Sequence, residues 1–95
     1  MLPDLASRPV PTVTVRYWAS ARGAAGRSEE RVSASTLAEL IVQISSEHGN
    51  ANRFVDIIDC CAIVLGEVPV GARDHSEVLL SEGDTLEFLP PFAGG

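Results

Sequence analysis

The segment from Thr36 to His48 is the feature that most limits what this chain can fold into. Apolar side chains recur there at the three- and four-residue spacing of one helix face: Leu37, Leu40, Ile41 and Ile44. Glu39 lies three residues after Thr36, which is the spacing of a capping box, and Gly49-Asn50 supplies a stop signal. The sequence therefore predicts one main helix whose apolar face needs a sheet beneath it.

Strand-like segments lie on both sides of this helix. Alternating apolar and polar residues, short β-branched runs and a proline suited to a sheet edge mark them as Thr12–Trp18, Arg27–Val32, Cys61–Leu65, Val68–Val70 and Thr85–Leu89. The second is polar, which suits an edge strand, and Leu86 and Phe88 alternate with Glu87 in the last. Two strands thus precede the helix and the others follow it.

Small or polar residues indicate the structure of three connecting segments. Ala19–Gly26 contains two glycines and is predicted to be a loop. Ala51–Asp59 is ambiguous between a short helix and a packed loop. Ser81–Asp84 has a turn signature in which Gly83 is free to take positive φ.

This order predicts an α+β fold of the β-grasp (ubiquitin-like) type, with a mixed sheet of about four to five strands. One main helix packs across the sheet, and a right-handed crossover places the last strand beside the first. The same order also fits a ferredoxin-like split βαβ arrangement, but that fold needs a second full helix. We expect residues 1–11 to be a disordered extension, 12–91 the domain and 92–95 a flexible tail.

The acidic composition limits the classes of partner that the chain is expected to bind. The chain has 95 residues, a net charge of −6 and a pI near 4.7, which argues against a nucleic-acid or anionic-membrane surface. No signal-peptide pattern or membrane-length apolar run is visible, so we expect a cytoplasmic protein. The seven basic residues are all arginines, so an isopeptide bond from the C-terminus to a lysine would join it to another molecule.

A search for an active site in the sequence finds little. Cys60 and Cys61 are adjacent and lack metal-ligand spacing, so we expect no metal and interpret them as small apolar residues at a strand entrance. His48 and His75 have no evident catalytic partner in sequence. We expect the chain not to be catalytic alone and to bind no cofactor.

The C-terminus is the remaining candidate. The last strand is followed by Pro90-Pro91 and then by Phe92-Ala93-Gly94-Gly95. Glycines lack a Cβ and fit an extended backbone into a narrow channel. Four residues reach about 13–14 Å, enough to place a carboxylate inside another protein's active site.

Three stretches together resemble the MoaD/ThiS group of ubiquitin-like sulfur carriers, and within it the small subunits of molybdopterin synthase. Val15–Arg22 is similar to the family's first strand and arginine loop. Leu80–Pro91 is similar to its acidic turn, last strand and proline pair, and Phe92–Gly95 to its terminal segment.

The resemblance implies that Gly95 is adenylated by a ubiquitin-activating-like adenylyltransferase that uses ATP, and that a sulfur donor enzyme then converts it to a thiocarboxylate. The tail would enter the large subunit of molybdopterin synthase and give its sulfur to the dithiolene of molybdopterin, within a heterotetramer. The resemblance assigns partner binding to the tail and to residues expected at the surface beside it. These residues are Gly94, Ala93, Phe92, Pro91, Trp18 and Arg22.

Two features depart from the family pattern and leave alternatives open. Gly23 stands where the family often has an acidic residue, and residues 1–11 are not a family feature. The alternatives are a sulfur carrier for thiazole or cysteine synthesis, and a ubiquitin-like modifier or interaction module.

Overall fold

The computed structural model describes residues 9–49 and 53–91. Along this part of the chain the elements are β1 (Thr12–Tyr17), α1 (Ala19–Ala25), β2 (Glu29–Ser33), α2 (Leu37–His48), α3 (Phe54–Cys60), β3 (Ala62–Leu65), β4 (Val68–Pro69) and β5 (Thr85–Leu89). A short 3-10 turn, His75–Glu77, precedes β5.

The sheet has the order β2-β1-β5-β3-β4 and is mixed. β5 pairs in parallel with β1, with Tyr17 opposite Phe88, and antiparallel with β3, with Ile63 opposite the same Phe88. β2 and β4 form the two edges, which confirms the edge positions expected from the charges of one and the proline of the other. The fold is a β-grasp, and the prediction that the last strand lies beside the first is confirmed.

Helix α2 has the predicted phase and the predicted cap. The Thr36 side chain accepts a hydrogen bond from the Glu39 backbone N–H at 3.2 Å, and the Glu39 carboxylate accepts from the Thr36 backbone N–H at 3.2 Å. The buried residues of the helix are Leu37, Leu40 and Ile44. Its apolar face joins the inward side chains of β1 and β5 in one hydrophobic core.

The loop predicted over Ala19–Gly26 is wrong, because Ala19–Ala25 is helix α1. Ala21, Ala24 and Ala25 are spaced so that one face is apolar and buried, and alanine has the strongest helix propensity. Gly26 ends the helix with φ 77°, a left-handed conformation suited to glycine. The small residues that resembled a loop are small because this helix packs closely against its neighbours.

The ambiguous segment after α2 resolves, over its described part, into the short helix α3. Phe54 and Ile58 lie one turn apart and are buried in the core. Four predicted strands shift by one or two residues at their ends. β1 ends at Tyr17 rather than Trp18, β2 spans Glu29–Ser33 rather than Arg27–Val32, β3 begins at Ala62 rather than Cys61, and β4 ends at Pro69 rather than Val70.

The predicted turn before β5 ties both ends of the domain together. Gly83 has φ 86°, which confirms the expected positive value, and its backbone N–H donates to the Thr12 carbonyl at 3.0 Å. The Ser81 backbone N–H donates to the Asp84 carboxylate at 2.8 Å. Among the described residues no helix is long and apolar enough to cross a membrane.

Candidate functional site

Strand β5 holds the start of the C-terminal tail in the middle of the sheet. It is hydrogen-bonded on both sides, to β1 and to β3, and its Leu86 and Phe88 are fully buried. Pro90 is buried and Pro91 is exposed directly after the strand. Because a central strand cannot move without breaking two ladders, the tail leaves the domain from a rigid point.

The outer face of β1 and β5 carries an ordered patch beside this exit point. The Trp18 indole N–H donates to a Glu87 carboxylate oxygen at 3.0 Å, and the Arg16 guanidinium lies 5.2 Å from the Trp18 ring centroid. Arg16 also lies 3.9 Å from Glu87. Trp18 is 37% exposed, so its ring lies at the surface. Large aromatic side chains held at a surface are frequent anchors of protein interfaces.

Helix α1 places Arg22 next to this patch. The backbone N–H groups of Ala21 and Arg22 both donate to the Trp18 carbonyl, so the helix starts on the tryptophan itself. Trp18, Arg22 and Arg16 line a small common cavity of about 60 Å³. The structure therefore brings together two of the predicted partner-binding residues, and the helix missed by sequence reasoning is what joins them.

A second surface feature, which we call the tail-root groove, lies where the tail begins. Its volume is about 270 Å³, and it is lined by Ser20, Arg53, Asp56, Ile57, Cys60, Pro90 and Pro91. Of the predicted site residues, Pro91 belongs to this groove. Ala19 and Arg53, in or beside its wall, have φ 49° and 59°, values that residues other than glycine adopt rarely.

Comparison with models of protein families identifies the family of this chain. The model of the ThiS family matches residues 15–95, from the middle of β1 through the terminal Gly-Gly. The chain belongs to the ThiS family. Its fold is therefore that of the ThiS/MoaD-type, ubiquitin-like sulfur carriers.

Solved structures show the same fold as this ThiS-family chain at low sequence identity. The small archaeal modifier protein 1 of Methanosarcina acetivorans is 20% identical with a TM-score of 0.74, covering 90% of this chain and 98% of its own. A putative molybdopterin converting factor subunit 1 of Pyrococcus furiosus is 24% identical, with a TM-score of 0.70 over 85% and 98% of the two chains.

A third similar structure is a complex of subunits 1 and 2 of the molybdopterin-converting factor from Helicobacter pylori. It is 24% identical with a TM-score of 0.61, covering 88% of this chain and 99% of its own. A search of curated proteins returned no match.

A partly buried polar cluster, which sequence reasoning missed, links α2 to the sheet. The Tyr17 hydroxyl and the His48 Nε2 lie 2.5 Å and 2.7 Å from the same Glu30 oxygen, and Arg27 lies 3.5 Å from the other. His48 also packs its ring against Phe54 with centroids 5.0 Å apart. Glu47 brings a further carboxylate oxygen within 4.8 Å of this group. The hydrogen bond between Glu30 and His48 links β2 to α2.

The cysteines of this ThiS-family chain have different surroundings. Cys60 ends α3 and is exposed in the tail-root groove, whereas Cys61 is half-buried and donates from Sγ to the Ile57 carbonyl at 3.2 Å. Burial, with a smaller contribution from Cys60, raises the pKa of the Cys61 thiol to about 11. A raised pKa keeps Cys61 a thiol at neutral pH, which makes it a poor nucleophile.

The remaining predicted site residues lie outside the described part of the chain. Phe92, Ala93, Gly94 and Gly95 follow the last described residue, Pro91. Their assigned roles stay predictions, as do those of Pro91, Trp18 and Arg22, whose positions the structure gives.

Proposed function

We propose that this chain is the sulfur carrier of molybdenum cofactor biosynthesis, the small subunit of molybdopterin synthase. The observation that supports it most is that a ThiS-family match extends to Gly95, on a tail that starts at the end of the central strand β5. The similar structures from Pyrococcus furiosus and Helicobacter pylori, described as molybdopterin converting factor subunits, favour this pathway among sulfur-carrier pathways.

The proposed chemistry uses the terminal carboxylate as a carrier group. The Gly95 carboxylate attacks the α-phosphorus of ATP on an activating adenylyltransferase, which releases pyrophosphate and leaves an acyl adenylate. Hydrosulfide supplied by a donor enzyme attacks the acyl carbon and AMP leaves, so the chain then ends in a thiocarboxylate.

The thiocarboxylate sulfur then passes to the molybdopterin precursor in the large subunit. The sulfur attacks a precursor carbon and displaces an oxygen substituent from it, and water then cleaves the resulting thioester, which leaves the sulfur on the precursor and restores the Gly95 carboxylate. Two such transfers give the dithiolene, and we propose a heterotetramer with a carrier at each end of a dimer of large subunits.

In this proposal the domain positions the tail and supplies the docking surface. The Pro90-Pro91 pair follows the rigid end of β5 and restricts φ at two successive residues, which ends the strand at a defined point. Trp18 and Arg22 lie together beside the exit point and present an aromatic ring and a cation to the partner.

The test is the intact mass of the chain after incubation with ATP, a sulfide source and the activating enzyme of its host. We expect replacement of one terminal oxygen by sulfur in the full chain and no change in a variant lacking Gly95. Leu79→Ala serves as a matched control, since Leu79 is 72% exposed and belongs neither to the Trp18 patch nor to the tail-root groove. An unchanged mass of the full chain, with an enzyme shown to be active on another carrier, would overturn the proposal.

A ubiquitin-like protein modifier is the second candidate. It is favoured by the similar fold of the small archaeal modifier protein 1 and by the terminal Gly-Gly. Because this chain has no lysine, conjugates would join Gly95 to lysines of other proteins. Mass spectrometry of a host extract separates the two: adducts on lysine support the modifier, and a free thiocarboxylate supports the carrier.

A further inference from the structure

We propose that the open edge of β2 binds a second copy of this chain as an antiparallel strand, with a two-fold axis at Glu30. In this register Glu29 of each copy lies opposite Arg31 of the other. The inference goes beyond the proposed function, because β1 separates this edge from β5 and the tail that follows it.

The backbone of β2 presents hydrogen-bonding groups at this edge. The Tyr17 backbone N–H donates to the Ser28 carbonyl at 2.9 Å, which fixes the direction of the groups along the strand. Because backbone groups alternate in direction, Ser28 and Glu30 point their N–H and C=O groups at β1. Glu29 and Arg31 then point theirs away from β1, where the described sheet ends.

The side chains of the same two residues are exposed and carry opposite charges. Val32 lies in the core, whereas Glu29 and Arg31 are exposed on the other face of the strand. Neither Glu29 nor Arg31 forms an ion pair with another residue of the described chain. Both charges are therefore available to a partner.

Symmetry and the two faces of the sheet limit the register. A two-fold axis perpendicular to the sheet keeps both core faces on one side, so opposing residues must come from the same face. With the axis at Glu30, the two equivalent Glu29–Arg31 pairs exchange backbone hydrogen bonds and bring opposite charges together. With the axis at Arg31, two arginines would lie opposite each other, which is destabilising.

A hydrogen bond at the end of β2 disfavours a third register, with the axis at Val32. There the Arg31 backbone N–H would need the Ser33 carbonyl of the other copy. That carbonyl already accepts a hydrogen bond from the Gln43 side chain at 2.7 Å. The register centred on Glu30 uses no backbone group that the Gln43 side chain occupies.

The two Glu30 side chains, which face each other across the axis, are held within their own domains. The Glu30 side chain is 8% exposed, and its carboxylate binds the Tyr17 hydroxyl and His48. The Arg27 guanidinium lies 3.5 Å from its other oxygen. The negative charge of Glu30 is thus largely balanced inside each copy and adds little repulsion between copies.

The contact is small, so the association is weak. One short strand pair buries less than the roughly 1,200 Å² of a stable complex, and the net charge of −6 on each copy opposes association. Charges on an edge strand usually deter pairing with other chains. Here the same charges admit a strand that carries them in the complementary order.

Reversal of each charge tests this register. Sedimentation equilibrium of the full chain, at up to about 1 mM protein, measures the dimer against the 10.1 kDa monomer. Glu29→Arg and Arg31→Glu each place like charges opposite each other, so each alone should raise the dissociation constant roughly tenfold or more. An equimolar mixture of the two variants again places opposite charges in both pairs, so we expect it to restore association.

Glu67→Arg is the matched control for Glu29→Arg. Glu67 is exposed in the turn between β3 and β4, at the opposite edge of the sheet, and its reversal changes the net charge by the same amount. A general effect of charge would strengthen association in both of these less acidic variants. The proposal instead predicts weaker association for Glu29→Arg alone, with the same circular dichroism spectrum in every variant.

Backbone amide chemical shifts give an independent measurement on the unmodified chain. The amides of Glu29 and Arg31 should shift as the protein concentration rises, whereas that of Val64, inside the sheet, should not. A monomer at every concentration would overturn the proposal. So would a dimer that both charge reversals leave unchanged, or a mixture of the two variants that associates no more than either variant alone.

Discussion

At the scale of single residues, Tyr17 shows how burial couples a side chain to stability. It is 2% exposed at the end of β1, and its hydroxyl donates to Glu30 at 2.5 Å. Burial first, and then the hydrogen bond and negative charge of Glu30, raise the pKa of Tyr17 far above its ordinary value of 10.0. The folded state therefore keeps a proton that the unfolded state releases above pH 10.

The first prediction is that the free energy of unfolding falls as the pH rises above 10. A group with a raised folded pKa contributes its full stability below the unfolded pKa and loses it on the alkaline side. The loss from Tyr17 is at most about 1.4 kcal/mol per pH unit. Urea unfolding at a series of pH values measures it.

Tyr17→Phe is the matched variant, because it keeps the ring and removes the titrating hydroxyl. Both proteins carry the same cysteines and neither has a lysine, so the difference in slope above pH 10 belongs to Tyr17. Equal slopes in the two proteins would contradict the assignment of a raised pKa.

At the scale of elements, α2 holds the domain together. Leu40 is fully buried and Ile44 is 1% exposed, whereas Val42 on the opposite side of the helix is 67% exposed. The predicted helix phase is thus confirmed residue by residue. Capping by Thr36 and Glu39 fixes where the helix starts, so its apolar face meets the sheet in one register.

The second prediction concerns this face. Leu40→Ala should lower the free energy of unfolding by about 2–5 kcal/mol, because it removes a buried side chain and leaves a cavity. Val42→Ala, the control on the same helix, should stay within about 0.5 kcal/mol of the wild type. Urea denaturation of both variants measures the difference, and similar losses would mean that the two faces are not distinct.

At the scale of the whole molecule, the sheet separates a core face from an exposed face. Val15 and Tyr17 point into the core, while Arg16 and Glu87 lie on the other side with Trp18. We propose that Trp18, Arg16 and Glu87, which lie on this exposed face near the end of β5, form a docking face. A partner that takes up the tail would contact this face in the same encounter.

The third prediction tests that role and rests on the proposed function. Trp18→Ala should weaken binding to the large subunit of molybdopterin synthase by at least about 2 kcal/mol, or roughly 30-fold, as expected for a central aromatic anchor. Binding is measured by calorimetry with the purified large subunit. Leu86 and Phe88 stay buried, so the melting temperature should change little.

Val68→Ala is the matched control for Trp18→Ala. Val68 is 60% exposed and lies on the edge strand β4, two strands away from β5. An equal effect of both substitutions would point to general destabilisation rather than to an interface at Trp18.

Much of the fold follows from local patterns in the sequence. The apolar spacing of α2, its capping pair and the turn at Gly83 each depend on residues close together in the chain, so they could be predicted without knowing what packs against them. The position of the last strand beside the first followed from the right-handedness of the crossover. The tail was identified by its residues and by family resemblance, and the match through Gly95 agrees with that interpretation.

Only the tertiary structure decided the features that depend on distant partners. Ala19–Ala25 is helical because its small residues pack against α3, which sequence spacing does not reveal. Glu30, in a charged edge strand, is drawn inward by Tyr17 and His48, which lie 13 and 18 residues away. Likewise the tail-root groove forms where α1, α3 and the end of β5 meet, because long-range packing, rather than any local pattern, brings those three segments together.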